Sequence, residues 1–181
     1  MARDIVWEWL DRPGLEHLSL QIGPTAVTAE GLVLVQLGPA PLRVTYRVEL
    51  DGDWRFRRAH LTAGADQTLD LARAADGAWS VDGQAGPDLA GATDIDIMVT
   101  PFTNSLPIRR LRFQTGEPQA IRVAYIALPD LTVEPAAQDY TQLAPDRFRY
   151  RSLSSDFKAE LTVDGDGVVI DYPPIWRRRS S

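Results

Sequence analysis

Apolar and polar residues alternate along most of this chain. From Pro41 to Leu50 the side chains of Leu42, Val44, Tyr46, Val48 and Leu50 fall on one face, and those of Arg43, Thr45, Arg47 and Glu49 on the other. A period of two with one apolar face is the signature of a half-buried strand. The Asp51-Gly52-Asp53 turn then leads into WRFRRAHL, which reads as its hairpin partner. The same reasoning predicts strands over Leu15 to Gln21, Ala26 to Leu37, Thr68 to Ala74, Ala78 to Val81, Asp94 to Val99 and Ile108 to Gln114. Others follow over Ala120 to Leu128, Leu131 to Leu143, Arg147 to Leu153, Phe157 to Val163 and Val168 to Tyr172. Turn chemistry punctuates them at Asp76-Gly77, Asp82-Gly83 and Asp164-Gly165-Asp166-Gly167.

Helical periodicity is scarce. Gly64 and Thr68 interrupt the helix formers between Ala63 and Ala75, and LDLARA reads equally well as a strand. Thr103 to Leu106 can make one short turn between Pro101 and Pro107, both of which resist continuation. The expected fold is therefore mainly β, an antiparallel meander or roll with very little helix. The expected organisation is a single domain spanning residues 1–181. The run from Val81 to Thr93, rich in Gly, Asp and Ala, reads either as a surface loop or as a shallow division between two sheet units.

Composition narrows the function classes. With 181 residues and 44% hydrophobic content the chain can bury a substantial core. A net charge of −6 argues against a general nucleic-acid or anionic-membrane binder, which needs a broad basic surface. The absence of cysteine excludes a disulfide framework, a thiol nucleophile and a thiolate metal site. MARDIVWEWLDRPG lacks the pattern of a signal peptide. The longest apolar stretches, Gly31 to Leu37 and Ile121 to Leu128, fall far short of the roughly 20 residues of a transmembrane helix. The expected location is cytoplasmic.

Hydrogen-bonding groups concentrate in one segment, DIDIMVTPFTNSLPIRRLRF from Asp94 to Phe113. Asp94 and Asp96 share one face of a strand, where they can divide acid and base roles, pair with arginine, or simply face solvent. Thr100, Thr103 and Asn104 are short donors and acceptors beside Phe102, suited either to a ligand or to their own turn. If LPIRRLRF is extended, Arg109 joins Leu111 and Phe113 on the more apolar face, which calls for a carboxylate partner such as Asp94 or Asp96, or a polar ligand. Arg110 projects with Arg112, and its guanidinium fork suits phosphate, carboxylate or sugar oxygens.

In the second hairpin strand, Trp54 and Phe56 share a face with Arg58, while Arg55 and Arg57 share the other. These residues can line a ligand, or form core aromatics beside a solvated basic face. His17 can act as a general base, but Glu16 points to the opposite face, so the two form no side-by-side dyad. Tyr172 and Trp176 flank a Pro-Pro turn and can close the end of a barrel or a cavity, and the three arginines that follow read as a solvated tail. The common nucleophile, zinc, nucleotide and dinucleotide motifs are missing, so no catalytic residue, metal or cofactor is expected.

The segments EHLSL, YRVELDGDWRFRR, DIDI, TPFTNSLPIRRL, AYIALPDLTVEPAAQDY and DGVVIDYPPIWRR together resemble the putative glycolipid-binding family of bacterial proteins, once catalogued as a domain of unknown function. The resemblance extends over nearly the whole chain. Asp94, Asp96, Thr100, Pro101, Phe102, Thr103, Asn104, Pro107, Arg109 and Arg110 stand in the family's order, with Ser105 where threonine is more usual. It implies a spiral β-roll whose shape is similar to bacterial lipoprotein carriers and mycobacterial glycolipid-binding proteins. The leading expectation is a non-enzymatic binding module: an apolar group would enter the curled sheet, and Asp94, Asp96, Asn104, Arg109 and Arg110 would meet the polar head of a glycolipid or other amphiphile. Two alternatives stay open: an enzyme such as a hydrolase acting on a sugar or acidic metabolite, and a structural or protein-interaction module.

Overall fold

The computed structural model describes residues 1–179, with Pro87 by its backbone alone. Among them lie fifteen strands: β1 (Ala2–Trp9), β2 (Gly14–Ile22), β3 (Ala26–Val35), β4 (Leu42–Asp51), β5 (Phe56–Ala63), β6 (Gln67–Arg73), β7 (Trp79–Val81) and β8 (Gln84–Ala85). After a 3-10 turn at Pro87–Leu89 come β9 (Asp94–Ile97), a second 3-10 turn (Phe102–Asn104) and one short helix, α1 (Ser105–Arg110). The chain finishes with β10 (Pro118–Ala127), β11 (Thr132–Ala144), β12 (Arg147–Ser152), β13 (Lys158–Val163), β14 (Val169–Tyr172) and β15 (Trp176–Arg178). The mainly β expectation holds.

All fifteen strands form one sheet in the order β8-β7-β6-β5-β4-β3-β2-β1-β15-β14-β13-β12-β11-β10-β9. Each neighbouring pair is antiparallel except β9 with β10, which are parallel. The chain starts in the middle of the sheet, steps outward to β8, crosses to β9 at the far edge and steps back until β15 pairs with β1. That crossing dictates the curl. Nine residue steps from Ala85 to Asp94 span at most about 32 Å, whereas fourteen inter-strand steps across a flat sheet would part its edges by about 67 Å. The sheet must roll until its ends approach, and the crossing segment fixes them there. The Trp79 indole and the Arg73 guanidinium both donate to the Ala92 carbonyl at 3.1 Å, while the Thr93 amide donates to the Arg122 carbonyl on β10 at 2.9 Å. The low-hydrophobicity run from Val81 to Thr93 is thus the bridge between the sheet's edges.

The inward faces fill the roll. Trp7, Leu18, Leu20, Val33, Phe56, Leu61 and Ile126 are buried in a core to which α1 adds Leu106. Gly31 sits directly opposite Tyr46, and a Cβ there would lie 2.2 Å from its ring. The missing side chain lets the Tyr46 ring lie across β3 so that its hydroxyl reaches Glu16 on β2.

Four local expectations are corrected. The strand expected at Ile108 to Gln114 is replaced by α1 and the extended residues after it. Pro107 does not stop that helix, because it lies in the first turn, where a missing N–H costs nothing. Trp54 belongs to the hairpin turn, with φ of 63°, and not to the strand. A bulge at Phe56 and Arg57 then turns Arg58 outward, away from Trp54. The terminal arginines are no solvated tail: Arg177 and Arg178 lie on β15 and pair with Asp171 at 3.2 Å and Asp164 at 2.7 Å, and Arg179 pairs with Glu8 at 2.6 Å.

Candidate functional site

The segment from Asp94 to Arg110 is the buried edge strand of the roll and the plug that follows it. Its two carboxylates, which share a face, have different partners. Asp94 is fully buried and accepts from Arg110 Nε at 3.1 Å and Nη2 at 2.5 Å, with Thr93 Oγ1 donating at 2.8 Å. This two-pronged pair clamps the end of α1 to β9. It is an internal brace.

Asp96 has no cation among the described residues. Thr103 Oγ1 donates to Oδ1 at 3.2 Å and Gln138 Nε2 to Oδ2 at 2.5 Å. Burial raises its pKa, and the two hydrogen bonds only partly oppose that shift. A carboxylate offers about four lone-pair positions, so capacity remains for a further donor.

Asp96 faces a cavity of about 280 Å³. Trp9, Tyr125, Tyr150, Phe157, Tyr172 and Trp176 form its aromatic wall, and Thr100 and Asn104 add polar groups. Trp9 and Trp176 are cross-strand partners on β1 and β15 with ring centroids 4.5 Å apart. Tyr150 stands edge-on to Tyr172 at 6.3 Å and tilted to Phe157 at 5.9 Å. Burial first, and then the nearby Asp96 charge, raises the pKa values of Tyr125 and Tyr150. In Tyr172 the same burial dominates, with Tyr150 and Asp96 adding to it. These phenols stay neutral and able to donate. Arg12 is the cation on this wall, and it lies over the Trp9 ring at 4.8 Å while donating to Asp11 at 3.2 Å.

Behind the wall Thr100 joins a second acid. Thr100 Oγ1 donates to Glu16 Oε1 at 2.8 Å, and the Tyr46 hydroxyl donates to the same oxygen. Glu16 Oε2 has no partner. Complete burial raises the Glu16 pKa to about 8, against the hydrogen bonds from Tyr46 and Thr100. Asn104 is held by the Tyr140 hydroxyl, which donates to Oδ1 at 2.9 Å, and by its own Nδ2 donating to the Pro101 carbonyl at 3.1 Å.

The remaining expected site residues disperse. Phe102 and Trp54 are core aromatics 6.5 Å apart, and Thr103 is buried beneath Asp96. Arg109 pairs with neither Asp94 nor Asp96; its guanidinium lies 5.4 Å from the Trp54 ring centre as a cation–π contact. Arg55 and Arg57 bond Asp53 and Asp51 of their own turn at 2.5 and 2.7 Å. His17 is exposed beside Asp4 at 3.2 Å. It borders a broader hollow of about 1000 Å³ on the outer face, where Arg3 and Arg178 pair with Asp164 and Arg179 pairs with Glu8. The smaller aromatic cavity is the better candidate, because its carboxylate has no counter-charge. Of the residues singled out from sequence, it gathers Asp96, Thr100 and Asn104, together with Tyr172 and Trp176.

Among the described residues no group of three or more histidines and carboxylates is placed to hold a metal, and no helix is long and apolar enough to cross a membrane. The comparison with curated proteins gives no match. A crystal structure of a DUF1089 family protein from Pseudomonas aeruginosa is similar, with a TM-score of 0.82, 36% sequence identity and 92% of each chain covered. Residues 4–178 match the family described as "Putative glycolipid-binding". With that match over nearly its full length, the chain belongs to the putative glycolipid-binding family.

Proposed function

We propose that the protein binds the polar head of a glycolipid or related amphiphile in the aromatic cavity at Asp96, without catalysis. The observation that carries this reading is a carboxylate with spare acceptor capacity at a small cavity walled by six aromatic rings. Flat apolar faces pack against the C–H faces of a sugar, while Asp96 accepts its hydroxyl hydrogens and the neutral phenols supply further polar contacts. The volume, about 280 Å³, is near the lower end of ligand sites and suits a head group.

The sequence-based expectation of an acyl chain inside the sheet gives way to a different placement. Trp7, Phe56, Phe102 and Leu106 have no exposure and fill the roll. The tail is therefore assigned to the outside, near Leu10, which follows Trp9, and Leu153, in the loop that carries Phe157; both leucines are exposed.

Isothermal titration with octyl glucoside tests the reading. Saturable one-to-one binding is expected, weakened about tenfold in Phe157→Ala through loss of one ring from the wall. An absence of heat from the wild-type protein, or unchanged affinity in the variant, would remove this cavity from the function.

A second reading follows from the polar and aromatic wall beside Asp96, whose pKa burial shifts upward: in its protonated form the carboxyl can donate to a leaving oxygen of a bound sugar. Turnover of an aryl glycoside panel, abolished in Asp96→Asn, would select it over simple binding.

A further inference from the structure

Resting on the head-group reading, we infer that the bound head carries a positively charged amine, held between the Asp96 carboxylate and the faces of the surrounding aromatic rings. Carboxylates that are buried or half-buried elsewhere in this protein are compensated by arginine, with one exception. Asp94 is paired with Arg110 and Asp139 with Arg151, each at 2.5 Å, and Asp164 is paired with Arg3 and Arg178 at 2.6 and 2.7 Å. Glu16 has no cation, but it lies in packed core where two hydroxyls hold one of its oxygens. Asp96 is different in that it lacks a counter-ion and opens on a cavity large enough for a ligand.

The walls reinforce the sign of that charge. Aromatic faces carry the negative side of the ring quadrupole, and a cage of such rings is a recurring receptor for ammonium groups. The phenols of Tyr125, Tyr150 and Tyr172 contribute dipoles and no charge. Arg12, the cation on the wall, is already occupied by the Trp9 face and Asp11. A phosphate or sulfate placed beside Asp96 would meet an uncompensated negative charge, whereas an amine would supply the one that is absent. The ammonium N–H groups would donate to the free lone pairs of Asp96.

Three probes of equal tail length separate the possibilities: octyl glucoside, octyl glucosaminide and octyl sulfate, each titrated calorimetrically into the intact protein at neutral pH. The glucosaminide is expected to bind about tenfold more tightly than the glucoside, with octyl sulfate weakest. In Asp96→Asn glucoside binding is expected to weaken, because a charged acceptor of the sugar hydroxyls becomes a neutral one, and the glucosaminide's advantage over it is expected to fall to near unity. Equal or weaker binding of the glucosaminide in the wild-type protein would overturn the amine assignment and leave the head-group site standing. Failure of all three probes would overturn both readings. An amine preference that survives in Asp96→Asn would show that another group carries it, against the proposal.

Should Asp96→Asn fail to fold, the wild-type protein supplies a second readout. Affinity for a quaternary octyltrimethylammonium probe, whose charge does not titrate, is expected to fall as acidification protonates Asp96. Asp94 next to it is paired with Arg110, Arg12 lies against Asp11, and the phenols of Tyr125, Tyr140, Tyr150 and Tyr172 remain protonated. Glu16, behind Thr100, is itself protonated on the acid side of about pH 8. Glu16→Gln is therefore the control, and it should keep the acid-side loss. A flat acid limb in the wild type, or loss of that limb in Glu16→Gln, would contradict the assignment to Asp96.

Discussion

Glu16 occupies an inward position of β2, on the same face as Leu18 and Leu20, so the strand that buries the leucines also buries a carboxyl. Its pKa rises to about 8 from an ordinary 4.5, with burial as the dominant cause. Between those limits the native protein keeps a proton that the unfolded chain releases, so unfolding free energy falls as pH rises and levels off above about 8. Glu16→Gln should therefore remove its part of that slope and raise stability near neutral pH by on the order of a few kcal/mol. Asp96, shifted in the same direction, leaves a residual slope that starts from its ordinary value of 3.8. Urea unfolding of both proteins from pH 4 to 9 checks this, and parallel curves would contradict it. The inward placement of Glu16 was legible in the alternation of Leu15 to Gln21. Its partners were not, because Tyr46 and Thr100 are 30 and 84 positions away and only the curl of the sheet brings them to it.

At the scale of elements, β9 and α1 show where local pattern reading fails. A six-residue helix has too little length to stabilise itself, so its formation depends on packing. Here that packing is the complete burial of Leu106 and the forked bond from Arg110 to Asp94. Alternation across Ile108 to Gln114 suggested a strand and paired the carboxylates with Arg109. The helix instead delivers Arg110 to Asp94 and leaves Arg109 against Trp54. Arg110→Ala should destabilise the protein by about 3–5 kcal/mol, because it strands a fully buried charge. Adding Asp94→Asn should recover part of that loss. The shift in urea midpoint measures both, and a change below about 1 kcal/mol for the single variant would mean that the brace carries little. The shared face of Asp94 and Asp96 was readable from their spacing; their division into brace and cavity wall was not, since it depends on which cation arrives from α1.

The whole molecule explains why the cavity itself was largely hidden from the sequence. The family resemblance already implied the roll, and alternation and turn chemistry recovered most strands. The pocket, however, draws its wall from β1, β10, β12, β14, β15 and the loop before β13, elements distributed over both halves of the chain. Tyr172 and Trp176 stood out through the Pro-Pro turn between them, whereas Tyr125 and Tyr150 looked like ordinary strand aromatics and Trp9 lay outside every predicted strand. They converge because β1 and β15 meet at the centre of the sheet. The same curl packs the interior with Trp7, Phe56, Phe102 and Leu106, leaving a small aromatic cavity as the candidate site in place of a channel through the roll. The most direct test of that account is a crystal structure of the protein grown with saturating octyl glucoside. Sugar density among Trp176, Tyr172 and Tyr150, with a hydroxyl in hydrogen-bond reach of Asp96, is the predicted result; an empty cavity with the detergent bound elsewhere would contradict it.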